Sequence, residues 1–175
     1  MDIIELDRSH KGKAILFTYT TTHYYDVRTL AYDGVGGFQL ARVPFAEPQT
    51  KQFKSSLFED YLQEPRLFCA QEDGEWLGVA EVSRESWNNR LRVSNLWVRE
   101  EWRYQGIGKL LMARVIEVAR ELGCRAVVLE TQSCNDPAIR FYRSCGFSLI
   151  GLDTISYTNQ DVARHEVRLE MGLIL

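Results

Sequence analysis

Residues 95–111 read Asn-Leu-Trp-Val-Arg-Glu-Glu-Trp-Arg-Tyr-Gln-Gly-Ile-Gly-Lys-Leu-Leu, and this stretch decides the fold. An apolar strand runs out at Leu96-Trp97-Val98, a charged turn follows, and a helix opens directly behind Arg103-Tyr104-Gln105-Gly106-Ile107-Gly108. Such a turn aims a row of backbone N–H groups and the positive end of a helix dipole at one point in front of it. A phosphate or pyrophosphate is the natural occupant. Gly106 and Gly108 let the main chain approach closely with no Cβ in the way, while Arg103 and Lys109 add formal charge. Two other phosphate loops fit poorly. A Walker loop needs a hydroxyl residue after its lysine to hold magnesium, and Leu110 follows Lys109. The dinucleotide fingerprint needs a third glycine where Leu111 stands.

Downstream, the helix behind Gly108 places Leu111, Val115, Val118, Ala119 and Leu122 on one face and closes at Gly123. Residues 125–130 read as a buried strand. Asn135-Asp136-Pro137 opens the next helix with a cap residue and a first-turn proline, and Gly146 ends it. Residues 147–152 and 165–171 read as the last strands. The second of these alternates His165, Val167, Leu169 and Met171 against Glu166, Arg168 and Glu170. Upstream of the loop, residues 91–98 form a strand, and residues 67–70 and 76–82 flank the hairpin turn Glu72-Asp73-Gly74-Glu75. Residues 14–31, rich in Thr, Tyr, Val and Phe, favour extended chain. With a turn at Gly34-Val35-Gly36-Gly37 and a strand at 38–43, they predict a hairpin closed by Pro44 and Pro48. Phe53, Leu57, Phe58, Tyr61 and Leu62 recur at helical spacing, and Pro65 stops the predicted helix. After a short apolar opening at residues 3–6, no repeat or linker breaks the chain. The expectation is one mixed α+β domain over residues 1–175.

With 175 residues, 45% of them hydrophobic and 26% charged, the chain has the composition of an ordinary globule with a sizeable core. No run approaches the roughly 18 apolar residues of a membrane span, and no secretory signal is expected at the start. Cys69, Cys124, Cys134 and Cys145 show no metal-binding spacing, and the histidines are three, so neither a metal site nor a disulfide framework is expected. A reducing cytoplasm is the simpler setting. Residues 99–125 carry a net +2 inside a chain of net −3. A basic cofactor region within an acidic protein suits an anionic cofactor and a cationic second substrate, and argues against nucleic acid as partner.

The pattern Arg103-x-x-Gly106-x-Gly108 resembles the coenzyme-A loop of the GNAT superfamily of N-acetyltransferases. The strand–loop–helix–strand–helix–strand order over residues 91–152 is similar to the core of that fold. Leu129-Glu130-Thr131-Gln132, Asn135, Phe141-Tyr142, Cys145-Gly146-Phe147, Gly151-x-Asp153-Thr154 and Tyr157-x-Asn159 resemble its streptothricin acetyltransferase branch, as does Trp87-Asn88-Asn89-Arg90. The resemblance is specific over about residues 76–171 and only general before them.

It implies a mixed central sheet, splayed at its central strands and flanked by helices on both faces, with acetyl-CoA in the gap and no metal. The backbone of Leu96, Trp97 and Val98 would pair with the pantetheine like an added strand. An N–H near Val98 would hold the thioester oxygen as it becomes anionic. Arg103, Tyr104, Gln105, Gly106, Ile107, Gly108 and Lys109 would take the pyrophosphate, and Asn135 would bond the cofactor arm. Tyr142 matches the general acid that protonates the departing thiolate, beside the cofactor. The general base stays open, because the central strand reads Val93-Ser94-Asn95-Leu96 with no carboxylate. Glu130 is the candidate base, acting directly, through water, or only as a cation anchor. Glu81, Trp87, Glu130 and Asp153 are the candidate substrate-binding residues, with Tyr24, Tyr25 and Phe38, beside Trp87, as candidates to line the acceptor pocket and Asp161, like Asp153, as a candidate cation partner. The implied reaction acetylates a primary amine of a small cationic acceptor such as streptothricin. The alternatives are a protein N-terminal or lysine acetyltransferase, and an acyl-CoA-binding module without catalysis. The alternation at 164–171 would allow an edge-to-edge homodimer.

Overall fold

The computed structural model describes residues 1–31 and 36–175. In chain order its elements are β1 (Asp2–Leu6), β2 (Ala14–Leu30), β3 (Gly37–Ser56), β4 (Arg66–Glu72), β5 (Glu75–Glu85), β6 (Arg90–Val98), α1 (Ile107–Glu121), β7 (Ala126–Gln132), α2 (Asp136–Ser144), β8 (Ser148–Asp153) and β9 (Arg168–Ile174). Seven strands form a mixed sheet in the order β1-β4-β5-β6-β7-β9-β8, while β2 and β3 pair as a sheet of two. The α+β class expected from the sequence is the class observed. By contact density the chain divides into two compact units. One holds Met1–Phe17, Phe53–Leu129 and Gly172–Leu175; the other holds Thr18–Gln52 and Glu130–Met171.

In the first unit, β1, β4, β5 and β6 run antiparallel to their neighbours, and β6 then pairs parallel with β7. One core cluster joins Ile15, Leu57, Phe58, Leu67, Cys69 and Val79, with Trp76 and Trp97 packed against it. Helix α1 packs on β4, β5 and β6 and buries Ile107, Leu111, Met112, Val115, Val118 and Ala119. These are the positions its 3.6-residue periodicity marks as one face. Gly78 on β5 lets the first turn of α1 settle. A Cβ there would meet Trp97 O at 2.8 Å, Leu111 Cδ1 at 3.1 Å and Ile107 Cγ2 at 3.2 Å.

The second unit ties the two-stranded sheet to the segment around α2. Tyr25 N–H donates to Ser133 O (2.8 Å), Lys51 pairs with Glu166 (2.7 Å), and Tyr24 stacks on His165 with ring centroids 3.8 Å apart.

Three sequence expectations fail here for physical reasons. The helix predicted over Phe53–Leu62 does not form. β3 continues to Ser56, Phe53 stacks on Phe17 of β2 at 4.7 Å, and Phe58 takes a left-handed φ of 56°. Pairing with β2 and burial of Leu57 and Phe58 satisfy the same apolar residues without a helix. Nor do Pro44 and Pro48 close the strand, since β3 runs through both. Each strand of a two-stranded sheet has one unpaired edge, and a missing N–H on that side costs no ladder bond. The last strand starts at Arg168 rather than His165, because His165 sits at φ 58° and its carbonyl accepts from Ser133 Oγ (2.8 Å). Residues 34 and 35 of the predicted Gly-rich turn lie outside the described residues.

Candidate active site

The pairing of β6 with β7 ends at Val93↔Leu129, five residues before β6 itself ends. The cause is visible on the other side of β6. There Glu81 faces Asn95 and Val82 faces Val93, so Ser94 is an extra residue, a β-bulge that bends the strand and ends pairing. The Ser94 hydroxyl is buried with no hydrogen-bond partner. Beyond the bulge, Asn95, Leu96, Trp97 and Val98 pair with β5, and their other edge has no pairing to β7 in this register. Such an edge can accept an extended ligand as a further strand. Asn95 is also held fast. Its Nδ2 donates to Glu81 Oε2 (2.7 Å), and Glu81 Oε1 accepts from Phe58 N–H (2.6 Å). Glu81 is fully buried, and burial pushes its carboxyl above the usual range.

The loop after β6 has the geometry its glycines predict. Tyr104 (φ 62°) and Gly106 (φ 90°) are both left-handed, which folds the main chain into a concavity of N–H groups. No side chain caps α1 at Gly106, so the first-turn N–H groups are left for a ligand. Arg103 Nε bends back to Val98 O (3.2 Å), tying the loop to the strand end, and Gln105 Nε2 donates to Glu101 O (2.9 Å). Tyr104 is 98% exposed. Leu96, Trp97 and Val98 and the 103–109 loop are thus brought together as one surface of the first unit. Trp97 is anchored from behind, its Nε1 donating to Leu16 O (3.1 Å).

Two candidate substrate residues of this unit lie apart from that surface. Glu81 points into the core at the bulge. Trp87, 83% exposed, stands in the β5–β6 turn, at the opposite end of β6 from Val98.

The second unit carries the remaining candidates. Asn135 caps α2, its Oδ1 accepting from Ala138 N–H (3.2 Å), which leaves its Nδ2 as the side-chain donor for a ligand. Tyr142 lies late on α2, in edge contact with Phe141 and tilted against Phe147, and burial pushes its phenol up to about 12. It therefore stays protonated at working pH, as a proton donor must. Glu130 is gripped by Arg168 (2.7 Å to Oε2) and by the Tyr157 hydroxyl (3.4 Å to Oε1). In the sequence alone Arg168 is a strand position and Tyr157 a motif position, and no spacing links either to Glu130. Asp153 ends β8 and accepts from Ile155 N–H (2.9 Å). Asp161 is buried and accepts from the N–H groups of Tyr157 and Thr158 and from Thr158 Oγ1, each at 2.8 Å, so it builds its own turn. Among the described residues no cluster of metal-ligating side chains occurs. No described helix is long and apolar enough to cross a membrane.

An unpaired strand end leading into a loop of N–H groups suits an extended thioester arm that finishes in a pyrophosphate, the cofactor side of an acyltransferase that uses an acyl-CoA. The chain belongs to the Acetyltransferase (GNAT) family, whose pattern matches residues 37–147. It is an acyltransferase enzyme. Streptothricin acetyltransferase of Streptomyces lavendulae is 36% identical over 149 residues, covering 80% of this chain and 76% of that one. Streptothricin acetyltransferase A of Bacillus subtilis is 28% identical over 118 residues, covering 66% and 68%. Among solved structures, nourseothricin acetyltransferase superposes with a TM-score of 0.75 at 32% identity, covering 98% of each chain. A streptothricin acetyltransferase homologue from Bacillus anthracis, solved with acetyl coenzyme A, gives 0.74 at 20% identity over 99% and 96%, and shares the fold.

Proposed function

We propose that this enzyme acetylates a primary amine of a small cationic acceptor, and that streptothricin, at a β-lysine amine, is that acceptor. The observation that carries the reading is the 36% identity to a streptothricin acetyltransferase over 80% of the chain. The acidic balance of the chain outside residues 99–125 supports a cationic partner. In this reading the two units work as one domain.

Acetyl-CoA supplies the activated acetyl group. The edge of β6 at Leu96, Trp97 and Val98 aligns its pantetheine arm, and an N–H near Val98 takes up the charge that grows on the thioester oxygen. One such donor is worth about 10²–10³ in rate. The 103–109 loop holds the pyrophosphate, and Asn135 Nδ2 bonds the arm. The acceptor amine must attack as the neutral base, while a lysine-type amine with a pKa of about 10.4 is mostly protonated at neutral pH. Glu130, oriented by Arg168 and Tyr157, is assigned to draw in the ammonium group; its ion pair fits anchoring better than proton abstraction. Attack forms the C–N bond and breaks the C–S bond; Tyr142 protonates the departing CoA thiolate, and the proton that the amine gives up passes to solvent water, from which Tyr142 is reprotonated. Asp153, at the end of β8, is assigned to the acceptor side, and Glu81, through its bond with Asn95, to support of the bulge; Trp87, at the far end of β6, is given no part. Four free cysteines fit a reducing cytoplasm.

A thiol-release assay with acetyl-CoA tests the reading, run against streptothricin, free lysine, polyamines, aminoglycosides and short peptides. Release with streptothricin, lowered by about 10²-fold or more in Tyr142→Phe, is expected. Release with peptides alone would move the activity to protein amines, and an undiminished rate in Tyr142→Phe would remove the acid.

A further inference from the structure

The helix that carries Asn135 and Tyr142 is held by a residue far from it in sequence. α2 has nine residues, too few for a stable isolated helix, and its own support is the Asn135 cap and a first-turn proline. Burial of Ile139 adds to this, and so does the two-stranded sheet. That sheet grips the turn into α2 at three nearly consecutive residues. Tyr25 N–H donates to Ser133 O (2.8 Å), the Tyr19 hydroxyl meets Cys134 Sγ (3.5 Å), and Arg42 forks onto Asp136. The fork is bidentate, with Nε to Oδ1 at 2.8 Å and a terminal nitrogen to Oδ2 at 2.9 Å. The Asp136 side chain is only 6% exposed, and the guanidinium holds its carboxyl below the usual range. A planar fork on a buried carboxylate fixes direction as well as distance, which a lysine could not do.

We infer that Arg42 of β3 is a positioning residue for the reaction: through its fork on Asp136 it fixes the direction of α2, and so the place of Tyr142. The inference rests on the reading of Tyr142 as the acid. Tyr142 stands six residues beyond Asp136, about 9 Å along the axis at 1.5 Å per residue. A tilt of about 10° pivoting at Asp136 then carries its ring by more than about 1 Å, and a displacement of that size can cost about 10²-fold in rate. The two-stranded sheet thereby bears on catalysis through α2.

The test is a double-mutant cycle on Arg42→Gln and Tyr142→Phe, read as the kcat of thiol release from acetyl-CoA with streptothricin. Arg42→Gln alone is expected to lower kcat by about 10–10²-fold, and by less than about twofold when Tyr142 is already Phe. An equal factor in both backgrounds would mean that Arg42 serves folding only, and would overturn the inference. A normal rate in Tyr142→Phe would instead refute the acid reading, which the cycle separates from a failure of the fork.

Amide hydrogen exchange supplies a readout that needs no acceptor. Arg42→Gln should speed exchange in α2 by about tenfold or more while α1 stays protected, and unchanged α2 protection would overturn the inference. Arg42→Gln leaves a buried carboxylate unpaired and could prevent folding. In that case Arg42→Gln with Asp136→Asn removes the stranded charge and carries the same two measurements.

Discussion

Replacing Gly78 by alanine tests whether the seat of α1 sets cofactor affinity. The new Cβ would lie 2.8 Å from Trp97 O, about 0.6 Å short of an ordinary 3.4 Å contact. Leu111 Cδ1 and Ile107 Cγ2, at 3.1 and 3.2 Å, are side-chain ends that can turn away, but the oxygen belongs to the backbone of β6. Relief must come from spreading β5 and β6 or from lifting the first turn of α1. Overpacking of this kind costs about 1–3 kcal/mol. In a chain of this size that lowers Tm by about 3–10 °C. Both routes of relief move ligand-facing parts, the β6 edge at 96–98 or the N–H groups behind Gly106. The Kd for acetyl-CoA, measured by titration calorimetry, should therefore rise about tenfold, equivalent to about 1.4 kcal/mol. Leu111→Ala, which opens a cavity further along α1, should lower Tm at least as much with a smaller change in Kd. Equal Kd changes in the two variants, or an unchanged Kd in Gly78→Ala, would refute the reasoning.

Gly106→Ala meets no atom within 4 Å, so its cost is conformational, about 1–2 kcal/mol for a left-handed residue, and acetyl-CoA binding measured by calorimetry should weaken with it. Glu81 has a raised carboxyl pKa, so as pH rises the unfolded chain releases this proton first. The stability it contributes is present at pH below 4.5 and lost as pH climbs through the folded-state value. Glu81→Gln, with the Asn95 amide turned to accept, should accordingly gain Tm relative to wild type at pH 8 more than at pH 5, as scanning calorimetry would show; a larger loss at pH 8 would oppose this. Glu130→Gln removes the carboxylate that draws in the ammonium group and should raise the KM for streptothricin severalfold with little change in KM for acetyl-CoA, read from initial rates.

The parts of the fold legible in the sequence are those with local causes. Gly106 and Gly108 before an amphipathic stretch announce the loop and α1, and Asn135-Asp136-Pro137 announces α2, because caps and turns are settled by neighbours within four residues. What could not be read depends on distant partners. Phe53, Leu57, Phe58, Tyr61 and Leu62 have helical spacing, yet Phe53 pairs across to Phe17, and the Phe58 N–H is captured by a carboxylate 23 residues away. The same holds at the site. The residues of β6 and the loop were visible as a motif. The bulge at Ser94, the Asn95–Glu81 bond, the Arg168 grip on Glu130 and the Arg42–Asp136 fork join residues that no spacing rule connects. An arginine at position 42, alone in a strand, carries no sign that it will meet a helix 94 residues later.

Mass spectrometry of streptothricin incubated with the purified protein and acetyl-CoA tests the proposed activity most directly. The predicted result is a product one acetyl group heavier, modified at a β-lysine amine, with one CoA thiol released per product. Unmodified streptothricin beside bound, intact acetyl-CoA would contradict it.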